Sequence, residues 1–172
     1  ADVCQKLSIS LHTLPDALLI EPEQAVKSDQ APYKVFTAFY NNARQFPVAL
    51  PQALTSKNFL SPASDFTFDQ LGLSLVKSES NVMQGGRNHA LAILDQINAY
   101  SDYQNTRDFP ALDATSKLSA HLKFGTCSVR EVYYAITEQL GSEHPLLRQL
   151  YWRDFFTHIA YHFPQVFGRP LL

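Results

Sequence analysis

The spacing of apolar and polar side chains changes several times along the chain, and each change predicts an element. Ser8 to Thr13 (S-I-S-L-H-T) alternates polar and apolar, the period of a short strand. Leu14-Pro15-Asp16 then turns the chain, and residues 17–31 keep no period despite the run Ala17-Leu18-Leu19-Ile20. Pro32 opens a helical pattern reaching Arg44, with Tyr33, Phe36, Phe39 and Tyr40 at helical spacing. From Pro47 to Asn81, Pro47, Pro51 and Pro62 punctuate a stretch rich in Ser, Asp and Phe, in which Phe66-Thr67-Phe68 suits an extended backbone. Long structureless segments are uncommon inside compact domains, so 47–81 is expected to be a linker. Residues 1–46 and 82–172 are then expected to be different folding units.

After Gly85-Gly86 the helical period holds. Ala90, Ile93, Leu94, Ile97 and Tyr100 mark one face of a helix of about four turns. A short helix is predicted from Ser119 to Phe124, stopped by Gly125. Ser128 caps the next, Val129 to Leu140, with Glu131 in its first turn and Gly141 at its end. The last runs from Pro145 to Phe163, with Leu147, Leu150, Tyr151, Phe155, Ile159 and Phe163 in period, and Pro164 ends it. This half of the chain is predicted to be all α.

Bulk composition narrows the function classes. The 172 residues suit one ordinary domain or parts of two, and 45% hydrophobic content is enough for a packed core. A net charge of −2 gives no global footprint for nucleic acid, so any DNA binding must rest on a local patch. Cys4 and Cys127 have no metal or disulfide spacing and point to a reducing, cytoplasmic setting. No apolar run approaches membrane-spanning length. The start Ala-Asp-Val-Cys carries neither an initiator Met nor a signal pattern, as expected of a chain that begins in mid-protein.

Two stretches carry candidate chemistry. Thr115, Ser116 and Ser119 put three hydroxyls within five residues, and the Ser119 hydroxyl is placed to cap a helix start, which attracts anions such as phosphate. Arg107 lies upstream, just before a bend at Pro110. Two readings stand: a loop that holds a phosphorylated ligand, or an ordinary capped helix. In the last helix, Gln149, Trp152 and Arg153 share a face. An amide beside an indole suits a nucleobase, through edge hydrogen bonds and stacking; a core Trp flanked by surface arginines fits as well.

Together these stretches resemble a known family. Y-x-x-x-R-D-F-P from Tyr103, T-S-K-L-S-A-H-L-K-F-G-T-C-S-V-R from Thr115 and Q-L-Y-W-R-D-F-F from Gln149 are similar to the flavin-binding domain of DNA photolyases and cryptochromes, with the cyclobutane pyrimidine dimer photolyases as the nearest branch. Y-K-V-F-T-A-F-Y from Tyr33 resembles the segment that leaves that family's N-terminal domain, although Ala38 stands where the family has Pro in T-P-F. The likeness covers nearly the whole chain, with the motifs in order.

The resemblance implies a mainly α fold, the first part of a helical FAD-binding domain (82–172). It would follow the C-terminal end of an α/β Rossmann-like antenna domain (1–46) and the linker 47–81. It implies FAD as cofactor, with a folate or deazaflavin antenna pigment in the full-length parent. Tyr103 matches a flavin contact, and Thr115, Ser116, Lys117, Leu118 and Ser119 match the segment around the flavin's phosphates. Arg107 matches an arginine on the DNA face, Trp152 a ring that packs on the flipped dimer, and Arg153 an arginine near both flavin and DNA. Gln149 takes a place that is Glu in many cyclobutane-dimer photolyases and Gln in other branches. The implied partner is DNA carrying pyrimidine dimers, extruded as a flipped base is. The implied activity is a carbon–carbon lyase reaction in which light-excited reduced FAD lends an electron to the dimer.

Much of the family's pocket lies outside these residues, and the electron relay uses several tryptophans where this chain has one. An internal fragment that binds FAD weakly or not at all by itself is therefore expected. The alternatives are a cryptochrome-like light sensor and a non-catalytic remnant. No catalytic side chain and no metal site is assigned. His158 and His162, four apart, have a zinc-compatible spacing without a third ligand and are expected to be solvated. His121 sits where it could neighbour the cofactor, Asp154 is expected to pair with Arg153, and Cys127 to be a small buried residue.

Overall fold

The computed structural model describes residues 2–12, 14–53 and 84–169. The longest apolar period becomes the longest helix. Pro145 to His162 is helical, with Pro145 in the first turn and the His144 Nδ1 accepting from the Leu146 N–H at 3.3 Å; this is α7 of seven α-helices among the described residues. Its buried side chains form two parallel rows, Leu146-Leu150-Asp154-His158 and Leu147-Tyr151-Phe155-Ile159. Two rows at a spacing of four make a wide buried stripe, so α7 can bury against several neighbours at once.

The preceding helices are α1 (Asp2–Lys6), α2 (Phe36–Ala43), α3 (Arg87–Asp95), α4 (Tyr103–Thr106), α5 (Leu118–Lys123) and α6 (Val129–Leu140). Short 3-10 turns follow α3 (Ile97–Tyr100) and α7 (Pro164–Val166). α2, α4 and α6 all lie against α7, and α6 also packs on α3 and the turn after it. Phe36, Phe39 and Ala43 of α2 are buried, and Phe39 sits 5.4 Å from the Phe155 ring. The α6 stripe is Val129, Val132 and Ile136. Gln139 Nε2 donates to the Leu94 carbonyl at 3.0 Å, and Tyr134 OH to the Val48 carbonyl at 2.6 Å.

Several expectations hold. The capping box forms: Ser128 Oγ accepts from the Glu131 N–H at 3.1 Å, and Glu131 Oε2 accepts from the Ser128 N–H at 2.8 Å. Gly125 and Gly141 take the positive φ values, 66° and 93°, that suit glycine at helix ends. The helix after Gly85-Gly86 exists but breaks at Gln96 into a 3-10 turn.

Other expectations are corrected. Residues 8–12 form no strand and are exposed, with Ser8 at φ 53° and α1 in front of them; Thr13 lies outside the described residues. An alternating pattern needs a partner strand, and among the described residues the only ladder is an isolated bridge between Val26 and Pro32. The helix expected from Pro32 starts at Phe36, because Pro32 is engaged in that bridge. The aperiodic run 18–20 has no regular secondary structure, yet its side chains are buried in the core. Leu19, Ile20, Ala25, Phe36 and Phe39 share one hydrophobic cluster with Leu94, Ile136, Leu147 and Phe155. Most of the expected linker, 54–81, lies outside the described residues.

The capping box also carries an acid-sensitive ion pair. Arg87 donates to both Glu131 oxygens, at 2.8 and 2.5 Å. The Arg87 guanidinium, with the Ser128 N–H, holds the Glu131 carboxyl at about 2, well below its ordinary 4.5. A depressed carboxylate stabilises the fold above pH ~4.5, and that contribution is lost as pH falls from there through ~2. The Arg87 side chain is half exposed, so we expect roughly 1–2 kcal/mol after screening. Urea unfolding at pH about 7 and about 3 checks it: Glu131→Gln should flatten the acid-side fall, and an unchanged fall would assign it elsewhere.

Candidate functional site

The loop between α4 and α5 and one face of α7 enclose a cavity of about 770 Å³. Its wall includes Tyr103, Thr115, Ser116, Lys117, Leu118, Ser119 and Arg153, which are all seven residues the sequence assigned to a cofactor. Val132, Ile136, Leu146 and Leu150 supply an apolar side to the same cavity. Hydroxyls and three cations, Lys117, Lys123 and Arg153, facing an apolar floor suit a ligand with a phosphorylated part and a flat ring, and the volume is in the range of cofactor pockets. These residues fit an FAD-like group on chemistry alone.

The local backbone differs from the expected cap. α5 begins at Leu118, so Ser119 is its second residue and does not cap it. The cap position is Lys117, in the left-handed region at φ 54°. A non-glycine residue there costs about 1–2 kcal/mol. Lys117 Nζ lies 2.5 Å from Asp113 Oδ1, and its Cα turns the chain so that Thr115 and Ser119 stay exposed while Ser116 and Leu118 are buried. His121 is buried behind this loop, 2.7 Å from Thr126 Oγ1, and lines a separate small cavity with Thr115 to Lys117 rather than the large one.

A second cavity, of about 370 Å³, gathers the other assigned residues. Arg107, Gln149 and Trp152 line it. Gln149 also lines the larger cavity, so one side chain borders both. Arg153, assigned to both ligands, lines the larger cavity alone. The arrangement is therefore two adjoining hollows that meet at Gln149, with Thr115 on one and Trp152 on the other.

Trp152 has a dual environment. It stacks on Phe36 with ring centroids 3.6 Å apart and planes 7° from parallel, and Phe156 lies 5.6 Å away. The ring is thus fixed by α2 as a core residue is, while also forming part of the cavity wall. Sequence reasoning missed Tyr40 and Arg44, which line this cavity from α2 and its end, more than a hundred residues before Gln149. Arg148 lies 5.2 Å from both the Phe36 and Tyr40 rings, and Arg44 5.3 Å from Tyr40. Three arginines line the hollow against the single carboxylate of Glu143, which pairs with Arg44. The aromatic spacing Phe36-x-x-x-Tyr40 was a visible signal; what hid its link to the cavity was distance along the chain.

Asp154 does more than pair with its neighbour. It is 1% exposed, and its Oδ2 accepts from the Leu19 and Ile20 N–H groups at 2.8 and 3.3 Å. Its Oδ1 accepts from Arg153 Nη1 at 3.3 Å. Burial pushes its carboxyl from 3.8 up to about 7, against the opposing pull of the two N–H groups and Arg153. His158, expected to be solvated, is buried 5.1 Å from the Phe39 ring and 4.5 Å from His162, and burial lowers its pKa from the ordinary 6.5. His162 is half-buried, with Nε2 at 3.1 Å from the Pro22 carbonyl. Cys127 is 2% exposed, and burial raises its thiol above the ordinary range. No helix among the described residues is long and apolar enough to cross a membrane.

Comparison with known proteins decides the family. The chain is 32% identical over 178 aligned residues, 97% of its length, to the deoxyribodipyrimidine photo-lyase of Alkalihalophilus pseudofirmus. It is 30% identical over 179, 90% of its length, to that of a Synechococcus strain. The chain belongs to the photolyase family. Among solved structures it matches a class III photolyase from Agrobacterium tumefaciens with a TM-score of 0.76 and 25% identity over 98% of the chain. No general family model matches it. It spans 37% and 36% of the two photo-lyases and 38% of the solved chain, little more than a third of a photolyase.

Proposed function

We propose that this chain supplies the flavin-phosphate wall and the lesion-facing wall of a light-driven DNA repair enzyme that splits pyrimidine dimers. The observation that carries the reading is the pair of adjoining cavities: one walled by Tyr103, Thr115, Ser116, Lys117, Ser119 and Arg153, the other by Arg44, Arg107, Arg148 and Trp152, with Gln149 between them. When bound, reduced FAD supplies a photoexcited electron to the dimer. Thr115, Ser116 and Ser119 would hold its phosphates by donating to them, Lys117 and Arg153 would balance their charge, and Val132 and Ile136 would keep water from the apolar side. Arg44, Arg107 and Arg148 hold the DNA backbone locally, which the overall charge of −2 could not do. Trp152, already locked by Phe36, offers a preorganised surface to an extruded dimer, so less entropy is lost on binding. The Gln149 side-chain N–H₂ would donate to a carbonyl oxygen of the lesion.

The reading is tested by grafting this chain in place of the matching segment of the Alkalihalophilus photo-lyase. The graft is expected to retain flavin absorbance and light-dependent reversal of dimers in an oligonucleotide. A folded graft without flavin counts against the larger cavity as the flavin site, and one that holds flavin but repairs nothing counts against repair.

A further inference from the structure

Residues 17–20 run as a strap along α7 without secondary structure, yet Leu18, Leu19 and Ile20 are buried. We infer that Asp154 is a positioning residue for the larger cavity: one buried carboxyl ties this strap to α7 and holds the Arg153 guanidinium on the cavity wall. Its two oxygens divide the work. Oδ2 takes the Leu19 and Ile20 N–H groups, 135 and 134 residues away in sequence, and Oδ1 takes Arg153 Nη1. Ala17, two residues before Leu19, lines the larger cavity, as does Arg153. Two walls contributed by distant parts of the chain are therefore set by a single side chain that itself lines neither cavity.

The chemistry separates the two tasks. Alanine at 154 leaves two buried N–H groups without an acceptor and frees Arg153. Asparagine keeps an oxygen for the strap but turns an N–H₂ donor toward the guanidinium, which needs an acceptor. The rest of the strap is anchored further on, by His162 to the Pro22 carbonyl and by Tyr161 to Glu23, so the loss is local. The tether stands on geometry alone; its consequence for a ligand rests on the flavin reading above.

The test compares the wild-type chain with Asp154→Ala and Asp154→Asn. Hydrogen exchange of the Leu19 and Ile20 amides, read by NMR in the 172-residue chain, is expected to be at least roughly tenfold faster in Asp154→Ala, with Val132 and Ile136 in α6 unchanged. Asp154→Asn is expected to restore their protection while still shifting the Arg153 guanidinium resonances. In the graft, flavin retention should fall in the order wild type, Asn, Ala. Unchanged exchange at Leu19 and Ile20 in Asp154→Ala overturns the tether. Faster exchange with unaltered flavin retention overturns the positioning role. If Asp154→Ala fails to fold, Asp154→Asn carries the decision: unmoved Arg153 resonances sink the inference. A wild-type graft that holds no flavin counts against the flavin reading, and the amide measurement then decides the tether by itself.

Discussion

Phe39→Ala is expected to lower the unfolding free energy by about 3–5 kcal/mol, the largest effect foreseen for any single side chain outside the cavities. Phe39 is 1% exposed and joins α2 to α7 at two places, 5.4 Å from the Phe155 ring and 5.1 Å from His158. Removing the ring forfeits its transfer free energy and leaves a void between two helices whose other contacts hold them apart. For a chain of this length that corresponds to a fall in Tm of roughly 6–20 °C. Differential scanning calorimetry reads it directly. A fall of less than about 2 °C would mean that α2 does not depend on this contact, and the placement of Phe36 behind Trp152 would lose its support.

Trp152→Ala in the graft is expected to weaken binding of dimer-containing DNA by roughly five- to 150-fold, the range set by ~1–3 kcal/mol of stacking on one base. Flavin retention should hold, because Trp152 lines the smaller cavity and not the larger. Part of the loss is indirect. Phe36 loses a parallel partner at 3.6 Å, worth about 0.5–1.5 kcal/mol of folding stability. Trp152→Phe separates the two, since a smaller ring still stacks on Phe36. It should recover most of the stability and only some of the DNA affinity. Wild-type affinity of Trp152→Ala for dimer-containing DNA, with its preference over undamaged DNA intact, would remove the lesion from the smaller cavity.

The two expectations depend on the same packing. α2 reaches the site only through its aromatic face: Phe39 fastens the helix to α7, and Phe36 and Tyr40 then present themselves to Trp152 and Arg148. A destabilised α2 should therefore loosen the smaller cavity before the larger, whose wall comes from the α4–α5 loop, α6 and α7.

What could be read from the residues alone was whatever rests on short sequence separation. The periods of α3, α6 and α7, the capping box at Ser128 and Glu131, and the stops at Gly125 and Gly141 all depend on neighbours within four or five positions, so the pattern and the structure coincide. The hydroxyl-rich loop and the Gln149–Trp152–Arg153 face were legible for the same reason. The tertiary structure alone decided the rest. It put the aperiodic strap 17–20 in the core, because a buried carboxyl on α7 satisfies two of its N–H groups, and no local pattern announces a partner 135 residues away. It started α5 at Leu118 behind a left-handed Lys117, separated the ligand residues into two hollows meeting at Gln149, and brought Tyr40 and Arg44 to one of them. Periodicity records which face of an element avoids water; which other element covers that face is settled only when the whole chain competes for the same buried surface.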